Sequence, residues 1–372
     1  MARMLTSLLA VFALASCAND PLPLEQRFQR ALDRGLRGHP GVGVSAAVII
    51  PGEPLWTGTS GLSHDNTPVS PDMLFAIGSI TKNMVAALAL RLAGEGVLSL
   101  EDSLAEWLPS FPNIDGAVTI RQLLNHTSGI YQYFSDQAIW DEIERDPSRR
   151  WSHEEVLAYV HDPYFRPGEG FRYSNTNYTL LGMIIEKATE SGVAAALRER
   201  FWGPLGLSNM YFAVEERIPD TIAHVWGSRG HRGRTEDLTF APRMAHDSIV
   251  HPSGGVFSTA EDLARWADAL FHGRAINQLQ LDQMLDFVPI SRRDGIQSQG
   301  YGLGIQHYLS DWVRGVDVYG HGGGSIGTVA YMLYLPEHGV SIAAMLNSFD
   351  GRTLHRIVRE LAKLAAEHAR EA

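Results

Sequence analysis

Two hydrophobic rhythms alternate along the chain, and their order predicts its architecture. Residues 24–37 carry apolar positions at helical spacing and stop at Gly38 and Pro40. Residues 43–50 are small and β-branched, and 54–62 follow after Pro51-Gly52, which predicts a hairpin. An apolar helix is predicted over 79–93, closed by Gly94 and Gly96. From about 98 to 285 the patterns are mostly helical, most clearly at 152–160, 176–189 and 259–271. Strand-like runs return at 302–309, 316–320, 329–335 and 340–346, and an amphipathic helix covers 353–368. Strands at both ends of a helical middle predict an α+β fold over residues 25–370. Its central antiparallel sheet is assembled from both chain ends, with a mostly helical lobe inserted over about 98–285. The cleft between two such lobes is a common home for a ligand.

The first residues follow neither rhythm. Arg3 gives a short positive region, and residues 5–15 form an apolar stretch too short to span a bilayer comfortably. It runs into Leu14-Ala15-Ser16-Cys17, which resembles the bacterial lipobox, where the chain is cut before the cysteine and the thiol is lipidated. Residues 1–16 therefore read as a lipoprotein signal peptide and 17–24 as a tether. The protein is expected to be exported and held at the periplasmic or extracellular face of a cell-envelope membrane through Cys17. Cys17 is the sole cysteine, so no internal disulfide can form.

Composition narrows the function. Of 372 residues, 45% are hydrophobic and 20% charged, as in an ordinary globular protein. A net charge of −11 disfavours nucleic acid as a partner. The 15 histidines include no HExxH pair and there is one cysteine, so no zinc spacing appears and neither metal nor cofactor is implied. Of 31 basic residues only Lys82, Lys187 and Lys363 are lysines. Arg stays protonated, whereas a buried Lys can lose its proton and act as a base, so each Lys is worth a question.

Lys82 stands in Ser79-Ile80-Thr81-Lys82. On a helix the two side chains share a face, and a desolvated amine can take the proton that makes serine nucleophilic. The expected helix start at Ser79 also offers N–H groups to an oxyanion. Alone, the same four residues could be a capping serine and a solvated lysine. Tyr173-Ser174-Asn175 enters the next clear helix; a Tyr beside a cation can shuttle protons, and an Asn amide can hold a substrate amide or the ammonium. Gly320-His321-Gly322-Gly323-Gly324 lies between two predicted strands and reads as a glycine-rich turn, able to bring backbone N–H groups close to a ligand.

Together the three elements resemble the active-site motifs of the serine β-lactamase and penicillin-binding protein superfamily, nearest its branch of class C β-lactamases, D-alanyl-D-alanine carboxypeptidases and related esterases. Residues 123–129 (LLNHTSG), Pro167-Gly168 and residues 254–263 (GGVFSTAEDL) add to the likeness, which spans about 25–365. The resemblance implies a β-lactamase/transpeptidase-like fold and a serine hydrolase working through an acyl-enzyme on a small ester, amide or D-amino-acid peptide. It implies that Ser79 is acylated, Lys82 handles its proton, Tyr173 relays protons, and Asn175 places substrate and Lys82. The oxyanion would rest on the N–H groups of Ser79 and Gly324. His321-Gly322-Gly323 stands where β-lactamases have Lys-Thr-Gly, a change that weakens carboxylate recognition and points to an esterase, amidase or D-peptidase instead of an efficient β-lactamase.

Two other readings compete. Residues 323–327 fit G-x-S-x-G, the nucleophile elbow of α/β-hydrolases, with Ser325 as nucleophile and Asp350 and His355 following in order. No helix is predicted after Ser325, however, and a strand also follows the overlapping G-x-G-x-x-G over 322–327, against a dinucleotide site. A non-catalytic sensor of cell-wall peptides on the same fold would have no need of a deprotonatable lysine.

Overall fold

The computed structural model describes residues 22–39, 42–227, 236–290, 298–308, 313 and 315–371; Cys17 and residues 1–16, expected as a signal peptide, lie outside the described residues. Fourteen strands are described. They are β1 Gly43–Ile49, β2 Trp56–His64, β3 Thr67–Pro68, β4 Phe75–Ala76, β5 Met210–Phe212, β6 Trp226–Gly227, β7 Glu236–Asp237, β8 Val256–Ser258, β9 Val288–Pro289, β10 Ser298–Tyr301, β11 Gln306–Tyr308, β12 Tyr319–Ser325, β13 Thr328–Leu335 and β14 Val340–Leu346. Nine form one sheet in the order β3-β2-β1-β14-β13-β12-β11-β10-β9. Each pairing in it is antiparallel, and β1 from the front of the chain pairs with β14 from its end, Val44 opposite Leu346. The sheet assembled from both termini is therefore observed. The parallel sheet that a nucleophile elbow at Ser325 requires is not, and Ser325 ends a strand of an antiparallel hairpin.

Alternation along β1 and β14 sorts their side chains between two cores. Val44, Ala46 and Val48 with Val340, Ile342, Ala344 and Leu346 pack under the helices Leu24–Gly35 and Gly351–Glu371. The latter buries Leu354, Ile357, Val358, Leu361 and Ala365, the spacing of one helical stripe. Ala47, Ala343 and Met345 face the other way, into the core shared with the helical part. Within that core the helix Thr81–Gly94 is buried from Thr81 through Leu90, which is why its sequence is apolar all round. A small sheet, β4-β8-β5, braces its entrance.

Asn347 fastens the end of β14. Its Oδ1 accepts the Gly43 N–H at 2.7 Å, and its Nδ2 donates to Leu62 O at 3.0 Å and His224 O at 2.8 Å.

Several boundaries depart from the sequence reading. The helix expected over 152–160 is the single stretch His153–Leu157, begun by a capping box of Ser152 and Glu155. The strand expected over 302–309 is broken. Gly304 turns there with φ +71 because a Cβ would stand 2.5 Å from Ala86 Cβ and 2.8 Å from Lys82 O. The segment expected as a glycine-rich turn is instead strand β12, and the turn falls at Ile326-Gly327, where Gly327 has φ +65. Glycine has little intrinsic strand preference; seven register pairs with the β-branched and aromatic strand β13 impose it.

Candidate active site

Ser79 sits in a 3-10 turn, Gly78–Ile80, and the α-helix itself begins at Thr81, two residues later than expected. Gly78 holds φ +52, and strand β12 crosses this turn backbone to backbone. A Cβ on Gly78 would stand 2.6 Å from Gly324 N, and one on Gly323 1.9 Å from Ile77 O and 3.0 Å from Ser79 N. Side chains at either place would push the strand off the turn, so these glycines set the distance between Ser79 and β12.

Lys82 Nζ donates to Ser79 Oγ at 3.1 Å and to the carbonyl of Ser253 at 2.8 Å. The residue is completely buried, and burial pushes its pKa far below the ordinary lysine value. No carboxylate pairs with it among the described residues. Its surroundings are the rings of Tyr173 and Tyr178, 4.9 and 5.5 Å from Nζ. An amine so placed is the kind that gives up its proton near neutral pH and can accept another from a hydroxyl.

Tyr173 and Asn175 reach the same cleft from the loop into the helix Asn175–Thr189. The Tyr173 hydroxyl is buried without a hydrogen bond in the chain, and burial raises its pKa, partly offset by the Ser79 hydroxyl. Asn175 donates its backbone N–H to Gln132 Oε1 at 3.1 Å, while its buried Oδ1 has no partner. Asn175 makes no hydrogen bond to Lys82; the Ser253 carbonyl does that instead. The loop is held from behind by His126, at φ +62. Its Nδ1 accepts the Ser174 N–H at 3.2 Å and lies 3.1 Å from Asn177 Nδ2, and its ring lies 4.3 Å from that of Tyr173. Burial first, with smaller contributions from Lys82 and His321, lowers the His126 pKa well below the ordinary histidine value.

His321 lies inward on β12 and is 1% exposed. Its Nδ1 donates to Gly322 O at 2.6 Å, so Nε2 is the lone-pair nitrogen and accepts from the Tyr301 hydroxyl at 3.0 Å. Burial, with Lys82 adding to it, holds its pKa down at about 3. The ring is therefore neutral and internally satisfied, not a cation offered to a ligand. A chamber of about 470 Å³ is lined by Ser79, Tyr173, His321, Gly322, Gly323 and Gly324, with Gln132, Gln306 and Arg172 among its other walls. A second, of about 320 Å³, meets it at Ser79 and Gly324 and is walled by Phe134, Trp140, Asn175, Ile326 and Phe349. Ser79 thus stands between a chamber of mixed polar and apolar lining and a more apolar one.

Residues 28–367 match the family described as Beta-lactamase. The chain belongs to the β-lactamase family. Among curated relatives it is 26% identical over 314 residues to penicillin-binding protein 4* of Bacillus subtilis strain 168, across 82% of this chain and 66%, just under two thirds, of that one. It is 30% identical over 329 residues to esterase EstB of Burkholderia gladioli, across 78% of this chain and 80% of the relative. Among solved structures, a D-stereospecific amidohydrolase from Streptomyces sp. superposes with a TM-score of 0.79 at 31% identity, across 91% of this chain and 98% of that one. The fold expected from the motifs is thereby shown, and the chain is a serine hydrolase of this family.

The fold brings Ser79, Lys82, Tyr173, Asn175 and residues 321–324 to one cleft. Sequence reasoning missed Ser253, which contributes a backbone carbonyl and so leaves no side-chain signal. It quoted the stretch around His126 without seeing its support of the tyrosine loop, a role that depends on a left-handed backbone. Ser325, the competing nucleophile, has Arg243 Nη2 as its neighbour at 3.4 Å and not a histidine. Tyr173→Phe is expected to keep the fold, since the hydroxyl has no partner to lose, and to lower kcat about 10²–10³-fold with a smaller change in KM. Steady-state kinetics beside a thermal melt checks both halves.

Proposed function

We propose that the protein hydrolyses esters and D-amino-acid amides that carry no carboxylate, Ser79 being acylated and Lys82 serving as its base. The observation that carries this is the fully buried, carboxylate-free Lys82 with Nζ 3.1 Å from Ser79 Oγ and anchored by Ser253 O. Neutral Lys82 takes the Ser79 proton while Oγ attacks the carbonyl carbon. The oxyanion lies against the N–H groups of Ser79 and Gly324, on the two strands of backbone that the glycines bring together. The proton moves from Lys82, with the Tyr173 hydroxyl in relay, to the leaving alkoxide or amine as the acyl bond breaks. Water then gives its proton back along the same groups, attacks the acyl-enzyme and releases the acid and Ser79. Asn175 Oδ1 and Gln306 are placed to bind substrate amides.

A preference for substrates without a carboxylate follows from His321. It offers no charge, and Arg172, the cation on the chamber wall, is exposed and stacked over Tyr164 at 4.9 Å, where an ion pair is worth little. The names of the esterase and of the D-stereospecific amidohydrolase support the same class. In a panel of p-nitrophenyl acetate and butyrate, D- and L-phenylalanine amide, nitrocefin and a D-Ala-D-Ala peptide, the esters and the D-amide are expected to turn over fastest. Faster turnover of nitrocefin or the D-Ala-D-Ala peptide would overturn the substrate class. A folded protein that neither turns over esters nor is labelled by a fluorophosphonate would instead be a cell-wall peptide sensor.

The same reading includes export and lipid attachment at Cys17, supported by the apolar stretch ending in Leu14-Ala15-Ser16-Cys17. Cys17→Ser is expected to leave the enzyme active but released from, or unprocessed at, the membrane. Fractionation with detergent-phase partitioning reads this, and membrane association of a cut product equal to the parent's would refute it.

A further inference from the structure

A second cluster of ionisable side chains lies away from the cleft, where three separate segments meet. His153 opens the helix His153–Leu157, Glu186 projects from Asn175–Thr189, and His251 opens the short helix His251–Gly254. One donor atom from each of the three lies within 4.8 Å of the other two. His153 Nε2 and His251 Nδ1 stand 3.4 Å apart, about the separation of two nitrogens bound to one tetrahedral ion at ~2.0–2.1 Å.

The ring of His251 is set in advance. Glu215 Oε1 accepts its Nε2–H at 2.6 Å, while the other oxygen of that carboxylate accepts the Ala194 N–H at 3.1 Å. This leaves Nδ1 as the lone-pair nitrogen and turns it towards His153, the carboxylate–histidine arrangement that orients metal ligands. Glu215 follows Val214, a β-branched residue at φ +77, a backbone state that such a residue rarely adopts. Glu186 Oε2 lies 3.8 Å from the other nitrogen of His153.

Charge points the same way. Glu186 and Glu215 face the two rings, with Glu154 near by, and no Arg or Lys is paired with any of the three among the described residues. Side-chain exposure falls from 36% at Glu186 through 16% at His153 to 6% at His251, which gives an ion an entry from the Glu186 side.

We propose that His153, His251 and Glu186 bind one zinc-like divalent transition ion, with Glu215 orienting His251. Two imidazoles and a carboxylate suit such an ion, and not calcium or magnesium. The site is structural: it ties the segments at 153, 186 and 251 together, two residues from the Ser253 carbonyl that holds Lys82.

The test is zinc binding by the purified protein, stripped with chelator and dialysed, read by metal analysis, chelator competition and thermal melts. One Zn²⁺ per chain is expected, with a rise in Tm on adding zinc and a cobalt derivative showing visible tetrahedral bands. His153→Gln and Glu186→Gln are each expected to weaken binding at least tenfold and to remove the rise in Tm, with ester turnover retained. Ser79→Ala is expected to bind zinc as the parent does, so the metal site and the hydrolase reading succeed or fail separately. No stoichiometric zinc, the same affinity in both variants, or a Tm that follows pH but not zinc would overturn the proposal; the last would make the cluster a proton-sharing pair.

Discussion

Ser79→Ala is expected to reduce ester turnover by about 10⁴–10⁶-fold while leaving the protein folded. In the proposed mechanism the hydroxyl forms the acyl bond, and its loss leaves Lys82 no proton to accept. Little else depends on it. Ser79 is partly exposed in a turn of ordinary backbone, and Lys82 keeps its hydrogen bond to Ser253 O. The expected result is the absence of both a p-nitrophenol burst and a mass shift with fluorophosphonate, at a Tm within a few degrees of the parent. Persistent turnover would shift the nucleophile to Ser325, another serine on the wall of the cleft.

Lys82→Met is expected to be inactive and, at neutral pH, more stable than the parent. Loss of the base costs about 10³–10⁴ in kcat. Lys82→Arg should be comparably inactive, because Arg keeps its proton. The stability effect follows from proton linkage. An unfolded lysine titrates near 10.5, and burial lowers the folded value well below that. Between the two, the unfolded chain holds a proton that the folded chain has shed, so the parent gains up to about 1.4 kcal/mol of stability per pH unit as pH rises. Below the folded pKa that dependence ends and the full penalty of the buried ammonium remains. Met removes the penalty and its pH dependence, and the Ser253 carbonyl loses a donor at a cost of about 1 kcal/mol. The net gain for Lys82→Met, about 1–3 kcal/mol at low and neutral pH, should shrink towards pH 10. Urea unfolding across pH 6–9 measures it. A gap that widens with pH would mean that Lys82 is not a buried, easily deprotonated amine.

Sequence pattern revealed the outline of the fold because β1, β14 and the last helix each obey a single period. Val44, Ala46 and Val48 alternate in one core, and Leu354, Ile357, Val358 and Leu361 recur on one stripe. It failed where tertiary contact overrides local preference. Residues 320–324 read as a turn from composition, yet five pairings with β13 make them part of a strand. Gly304 breaks a strand for want of space against Ala86 and Lys82 O, which no local pattern records. At the site, side chains that react were legible and groups that position them were not. Ser79, Lys82 and Tyr173 announce their chemistry by residue type. The Ser253 carbonyl and the Nδ1 lone pair of His126 act through backbone and tautomer, which only the assembled fold defines.

The pairing of β1 with β14 also governs when the protein can work during its own synthesis. β1 leaves the ribosome early and waits with one edge open until almost the whole chain has followed. The Ser79 turn meets its glycine partners only after residue 324 has been made. A stalled or truncated product therefore carries the serine and the lysine but neither the glycines that cross the Ser79 turn nor a closed sheet. Its unpaired strand is open to association with other chains. The cleft is completed in one late step, when the C-terminal strands insert.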